Sequence, residues 1–315
     1  MKKHQFILYI PIKKPLSEEL IRYNTFHKLD NPFAAHARLL QSKWRESKGY
    51  PIGKLGNYIE LEYAKNVKAN FLTENIKQCV DESINEVRKN GGMIGEPRIW
   101  ENLLSSQPLC FNLFGEMYFD MELATLFFNK LFPKKVENVT KVMFEHSPSR
   151  GDSTYTGDHS AFDVFIEYVN PENEFCFIGI EVKYVENLRE ESKQKAFANF
   201  ENHRFEYTRL TLESNVFKSG SIDILKQVPI SQIWRDHLLS IATRKDYKDG
   251  FFVFLYPSQN EACQKGVDLY IEQLISINEE VTGFYPRYLE AFIETLKSIH
   301  DVEWVRELEE RYVGI

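Results

Sequence analysis

Three side chains stand out for the chemistry their types and spacing allow. Asp163 lies in the run Ser160-Ala-Phe-Asp163-Val-Phe-Ile-Glu-Tyr168. Glu181 and Lys183 lie in Phe175-Cys-Phe-Ile-Gly-Ile-Glu181-Val-Lys183-Tyr184. Between the two runs, Asn170-Pro-Glu-Asn173 has the composition of a turn, so the β-rich runs are predicted to pair as a hairpin. A turn centred near residue 172 sets Asp163 opposite Glu181, with Lys183 two residues along the same face. Phe162, Val164, Ile166 and Tyr168, with Cys176, Ile178, Ile180 and Val182, then form the opposite, core-facing side. Like charges facing each other across a sheet are destabilising. Lys183 offsets one of them, and a divalent cation, which suits oxygen ligands, would offset two more. The plain alternative is a solvated sheet face. Phe165 and Phe177 on that same face argue against it.

The surrounding elements have to hold this hairpin. Residues 17–104 read as polar and mostly helical, with apolar residues at helical spacing over 33–47 and 73–89 and Gly-containing breaks at Gly49–Asn57 and Asn90–Pro97. From about residue 108 the pattern changes. A helix Phe119–Phe132 is followed by β-rich runs Val139–Phe144, Phe162–Val169 and Phe175–Tyr184. Next come a helical stretch Leu188–Leu212, a helix Ile230–Thr243, a wholly apolar strand Phe251–Tyr256 and a helical tail over 265–312. The class is α/β, with an α-β-β-β-α-β core around a mixed central sheet. A boundary near 105 separates a mostly helical N-terminal region, 1–104, from a second part, 105–315, that carries the hairpin.

Asp163 followed across a hairpin by Glu181-Val-Lys183, in this order of elements, resembles the PD-(D/E)XK nuclease superfamily and its restriction-endonuclease-like fold. The resemblance covers about 105–275. Ser105-Ser-Gln-Pro-Leu-Cys-Phe-Asn112-Leu-Phe-Gly and Gln232-Ile-Trp-Arg235-Asp-His are similar to a bacterial group within it. One departure is that Ala161 and Phe162, not Pro, precede Asp163. The resemblance implies Mg²⁺-dependent hydrolysis of phosphodiester bonds, with Mn²⁺ able to substitute. Asp163, Glu181 and the carbonyl of Val182 would hold the cation, and Lys183 would orient the attacking water and steady phosphate charge. A third acidic group often comes from the first core helix. Glu116, Asp120 and Glu122 are the candidates, and Glu122 is favoured. Gln232 resembles a polar residue placed near the metal, with Arg235 on nearly the same helix face. Arg150 and His159, in the long loop Ser147–Ser160, are weaker candidates for nucleic-acid contact, as is Arg235. DNA is the expected substrate, in restriction, phage defence or repair. RNA cleavage by the same fold and a silent binding module are the alternatives. A homodimer is expected if both strands are cut.

Composition limits the rest. With 39 basic and 46 acidic residues the net charge is −7, which argues against a surface coated for nucleic acid but allows a local basic groove. The segment after the hairpin mixes Arg189, Lys193, Lys195, His203, Arg204 and Arg209 with four aromatic residues, and also with several Glu. Cys79, Cys110, Cys176 and Cys263 are too scattered for a zinc site and read as reduced thiols of a cytoplasmic protein. Phe6–Ile12 reads as a strand or extended arm, and no apolar stretch is long enough to span a membrane. Gly49-Tyr-Pro-Ile-Gly53-Lys54-Leu55 is one residue short of a phosphate loop and lacks its Ser or Thr. A carboxylate-pair glycosidase is disfavoured because Lys183 has no role in one.

Overall fold

The computed structural model describes residues 12–92, 94–189 and 191–314. The expected arm Phe6–Ile12 lies outside them except for Ile12. Five strands, β1 (Asn138–His146), β2 (Phe162–Val169), β3 (Phe175–Val182), β4 (Asp249–Tyr256) and β5 (Phe284–Tyr288), form one sheet in sequential order. β1, β2 and β3 pair antiparallel, and β4 and β5 run parallel to β3. This is the mixed sheet and α/β class expected.

The β2–β3 turn closes as its residue types suggest. Asn173 takes the left-handed conformation at φ +62°, which Asn tolerates better than most residues. The Asn170 side chain accepts from the Glu174 amide at 2.8 Å. A parallel β3–β4 pair needs a long crossover, and helices supply it: Lys193–Asn202, Arg204–Glu213 and Ser231–Thr243. The first two were expected as one stretch. His203, at φ −123° and ψ 26°, breaks it.

The tail differs from a run of helices. Gly283, left-handed at φ +72°, ends a short helix and turns the chain into β5. Five residues are too few to show a strand period, and Pro286 is tolerated because β5 lies at the sheet edge.

Both sheet faces are covered. Val164, Ile166, Tyr168, Cys176, Ile178, Ile180 and Val182 lie in one buried cluster, with residues from Phe33 to Tyr312. That cluster runs through position 105 without a break, joining the helices Pro32–Ser47, Glu74–Lys89 and Ser106–Phe114 to the C-terminal helices. Phe165 and Phe177 are buried in the second cluster, under the crossover helices. No described helix is long and apolar enough to cross a membrane, and all four cysteines are buried.

Arg311, fully buried at 0% exposure, ties the two ends of the described chain together. Its guanidinium donates to Gln41 Oε1 at 3.0 Å and to the Asn70 carbonyl at 2.8 Å, bonds the Asn70 side chain, and lies 4.2 Å over Trp44. Asn112, quoted above for its motif, serves the same junction. It bonds the Leu72 amide, the Asn70 carbonyl and the Tyr312 hydroxyl. Arg311→Met should therefore strand several buried acceptors and lower stability by about 3 kcal/mol, measured by urea denaturation.

His237 anchors the helix Ser231–Thr243. Its Nε2–H donates to the Thr282 carbonyl at 3.0 Å, and Nδ1 accepts from the Tyr270 hydroxyl at 2.8 Å. Burial, with a smaller push from Arg244, lowers its pKa to about 3. The neutral ring's contribution is therefore complete above pH ~6.5, the ordinary value, and is lost as pH falls from there towards 3. His237→Gln should flatten the fall in stability below pH 6.5 relative to wild type, read from denaturation midpoints across pH.

Candidate active site

The acidic pair sits where the sheet comes apart. The β2–β3 ladder runs from Val169–Phe175 to Val164–Ile180, so its next rung belongs to Asp163 and Glu181, the register the turn implied. The ladder stops one rung short of them. Phe162, expected beside Val164 on the first core face, crosses to the second cluster instead. Its ring covers Gly179 so closely that a Cβ there would lie 2.4 Å from it. Asp163 pins the parting strands, its Oδ2 accepting from the Val182 amide at 2.7 Å.

Glu181, Lys183 and Gln232 form a closed ring of hydrogen bonds. Glu181 Oε1 accepts from Lys183 Nζ at 2.6 Å and from Gln232 Nε2 at 2.7 Å. Lys183 Nζ also donates to Gln232 Oε1 at 3.1 Å. Glu181 and Lys183 are 4% and 6% exposed, so this ring is a core feature and not a wet surface pair. Gln232 is aimed by its helix start. Ser231 and Arg235 both donate to Glu191 Oε2 at 2.9 Å. Arg235, a candidate for phosphate contact, is thus committed to an internal ion pair. Glu191 was not singled out by sequence, because nothing marks it among its acidic neighbours.

A third carboxylate comes from β1. Between the pairs Phe144–Val164 and His146–Phe162 the rung belongs to Glu145 and Asp163. Glu145 takes the left-handed conformation, at φ +49°. Gln107, from the helix Ser106–Phe114, donates to its Oε1. The helix carboxylates lie elsewhere. Asp120 is exposed and caps its own helix through the Leu123 amide. Glu122 is exposed in that helix's first turn. Less than a turn further on, Thr125 accepts from the Val139 amide, six residues and about 20 Å of strand from Glu145. Glu116 bonds Thr73 and Asn75 at the start of the helix Glu74–Lys89, whereas the far end of that helix borders Glu145, about 24 Å away. The expected third acid is therefore not brought to the pair by the first core helix. The sheet register sets Glu145, a strand residue, on the rung of Asp163.

Crowded carboxylates shift one another. Burial, then Glu181 and Glu145, holds the Asp163 carboxyl well above the ordinary range, with Lys183 only partly offsetting them. Burial pushes Glu145 up to about 7 against the Gln107 hydrogen bond, with Glu181 adding to the rise. Burial opposes the charge on Lys183, but Glu181, Asp163 and Glu186 outweigh it, so the amine is held above its usual range.

No group of three or more His, Cys, Asp or Glu side chains converges on a common metal position among the described residues. Asp163 and Glu181 carry the oxygen donors that suit a hard cation. Asp163, Glu181 and Glu145 each have one oxygen fixed by an internal N–H, and the second accepts no hydrogen bond among the described residues.

The loop Ser147–Ser160 that joins β1 to β2 is tightly docked. Asp158 accepts from Thr156, Ser160 and Tyr207, and Arg209 donates to the carbonyls of Ser153, Thr154 and Tyr155. His159 is exposed on it. Arg150 lines a cavity of about 290 Å³ together with Glu145 and His146.

A model of the PD-(D/E)XK nuclease superfamily matches residues 28–314, and the chain belongs to that superfamily. No curated protein and no solved structure matches it.

Removing one of the opposed carboxylates should stabilise the metal-free protein. Asp163→Asn keeps an acceptor for the Val182 amide and loses a charge, so its melting temperature in EDTA should rise. Millimolar Mg²⁺ should raise the melting temperature of wild type and leave that of the variant unchanged, read by thermal melts.

Proposed function

We propose that the chain is a Mg²⁺-dependent endonuclease that hydrolyses phosphodiester bonds of DNA. The observation that carries this reading is the set Asp163, Glu181 and Lys183, the last two buried, at the open end of the hairpin, in a chain of a nuclease superfamily. Asp163, Glu181 and the Val182 carbonyl would hold the cation, and Mn²⁺ would substitute. A bound Mg²⁺ supplies charge at the phosphate and a more acidic water.

The chain's own residues supply the rest. Lys183 stays an ammonium, so it donates hydrogen bonds and stabilises developing negative charge in place of taking a proton. Gln232 touches both Glu181 and Lys183 and fixes their relative orientation. Burial of the ring keeps competing water from both charges. Restriction, phage defence or repair, in the cytoplasm, are the roles this activity would fit.

The test is cleavage of linear, supercoiled and single-stranded DNA and of RNA, in Mg²⁺ or Mn²⁺ against EDTA. Wild type should cut DNA only with metal, and Asp163→Ala and Lys183→Ala should each lose at least about 100-fold. Metal-dependent cutting confined to RNA would reassign the substrate. Cutting that survives both substitutions would remove the proposed site.

A further inference from the structure

A cavity of about 290 Å³ opens beside Glu145, the residue on the rung of Asp163. Its volume is near the lower end of the range for small-molecule pockets, so it suits a single ring system and not an extended chain. Val87, Met143 and Phe144, all buried, give it an apolar lining, and a thioether and an aromatic ring pack well against a flat π system. Asn90, Glu145 and Arg150 add polar groups.

Two arginines stand by it. Arg150 Nη2 lies 3.4 Å from where a Cβ on Gly92 would stand. Arg98 Nη2 and Gln107 Oε1 each lie 3.3 Å from where a Cβ on Gly95 would stand, and Gln107 donates to Glu145. Both guanidiniums draw the Glu145 pKa down against burial. Neither makes a hydrogen bond or an ion pair among the described residues, unlike Arg235, Arg287 and Arg311. Unpaired guanidiniums are strong partners for phosphate. An apolar slot for a flat ring with phosphate-binding groups beside it has the chemistry of a nucleotide site.

We propose that this cavity receives one unpaired base of the nucleic-acid substrate, and that Arg98 and Arg150 bind the phosphates next to it. This rests on the reading of the chain as a nuclease that cuts at Asp163 and Glu181. A base enters such a cavity only after leaving its stack, so the substrate class is a strand with unpaired nucleotides. The second oxygen of Glu145 accepts no hydrogen bond among the described residues and can accept one from an amino group of the base.

The experiment titrates the full chain into single-stranded DNA of alternating thymine and 2-aminopurine, in EDTA so that no metal-dependent cutting intervenes. Thermal melts establish that each variant is folded. Anisotropy reads affinity, and 2-aminopurine emission, which stacking quenches, reads whether a base has left the stack. Emission should rise as wild type binds. Asn90→Leu and Ser147→Leu narrow the cavity from two elements. Both should abolish the rise and bind about 10-fold more weakly. Arg98→Ala and Arg150→Ala should each reduce the slope of log affinity against log salt by about 0.7. Arg306→Ala, which removes an exposed cation of the last helix, should match wild type in both readouts. An unchanged emission rise and affinity in both cavity variants would overturn the inference, as would unchanged salt slopes in both arginine variants. If wild type binds no single-stranded DNA but cuts duplex DNA with Mg²⁺, the inference falls and the nuclease reading stands. If wild type also cuts nothing, both fall.

Discussion

The arrangement of the molecule turns on mutual repulsion among carboxylates held at one end of a sheet. Asp163, Glu181 and Glu145 occupy neighbouring rungs on three adjacent strands. Burial raises the cost of charge on Asp163 and Glu145, and Lys183, with Arg98 and Arg150 beside Glu145, offsets part of it. Such a cluster stays together only if its surroundings leave it no other arrangement. The sheet does this by register, and each acid is also clamped by a separate N–H: Val182 for Asp163, Lys183 and Gln232 for Glu181, and Gln107 for Glu145.

Those clamps come from both layers. Gln107 belongs to a helix of the first face, and Gln232 to a crossover helix of the second. The site is therefore a seam between two hydrophobic clusters, and the packing of each sets one wall. The first cluster extends to Tyr312. Arg311 and Asn112 close that layer across the whole chain, from the helix Pro32–Ser47 to the last helix.

What the sequence made legible follows from how local each feature is. The hairpin, its register and one core face could be read because a short turn and a period of two determine them. Asp163, Glu181, Lys183 and Gln232 are brought together as the hairpin and helix predicted. Glu145 escaped because its relation to Asp163 depends on β1–β2 register across a long loop, which no local pattern fixes, and on a positive φ that Glu seldom adopts. The ion-pair partner of Arg235, Glu191, could not be named because it is far in sequence and surrounded by similar residues. The crossing of Phe162 to the other face is a tertiary decision, made by the space above Gly179. β5 was too short, and too close to a proline, to announce itself among helices.

The docked loop Ser147–Ser160 has a further consequence. It joins the strand of Glu145 to the strand of Asp163, and Asp158, Tyr207 and Arg209 hold it down. Ordering a segment of that length costs about 1–2 kcal/mol of conformational entropy per residue. Here the loss is incurred once, when the chain folds, and is not repeated at each encounter with a ligand. The loop's arrangement is set before any ligand arrives, so its ordering cost does not weaken binding.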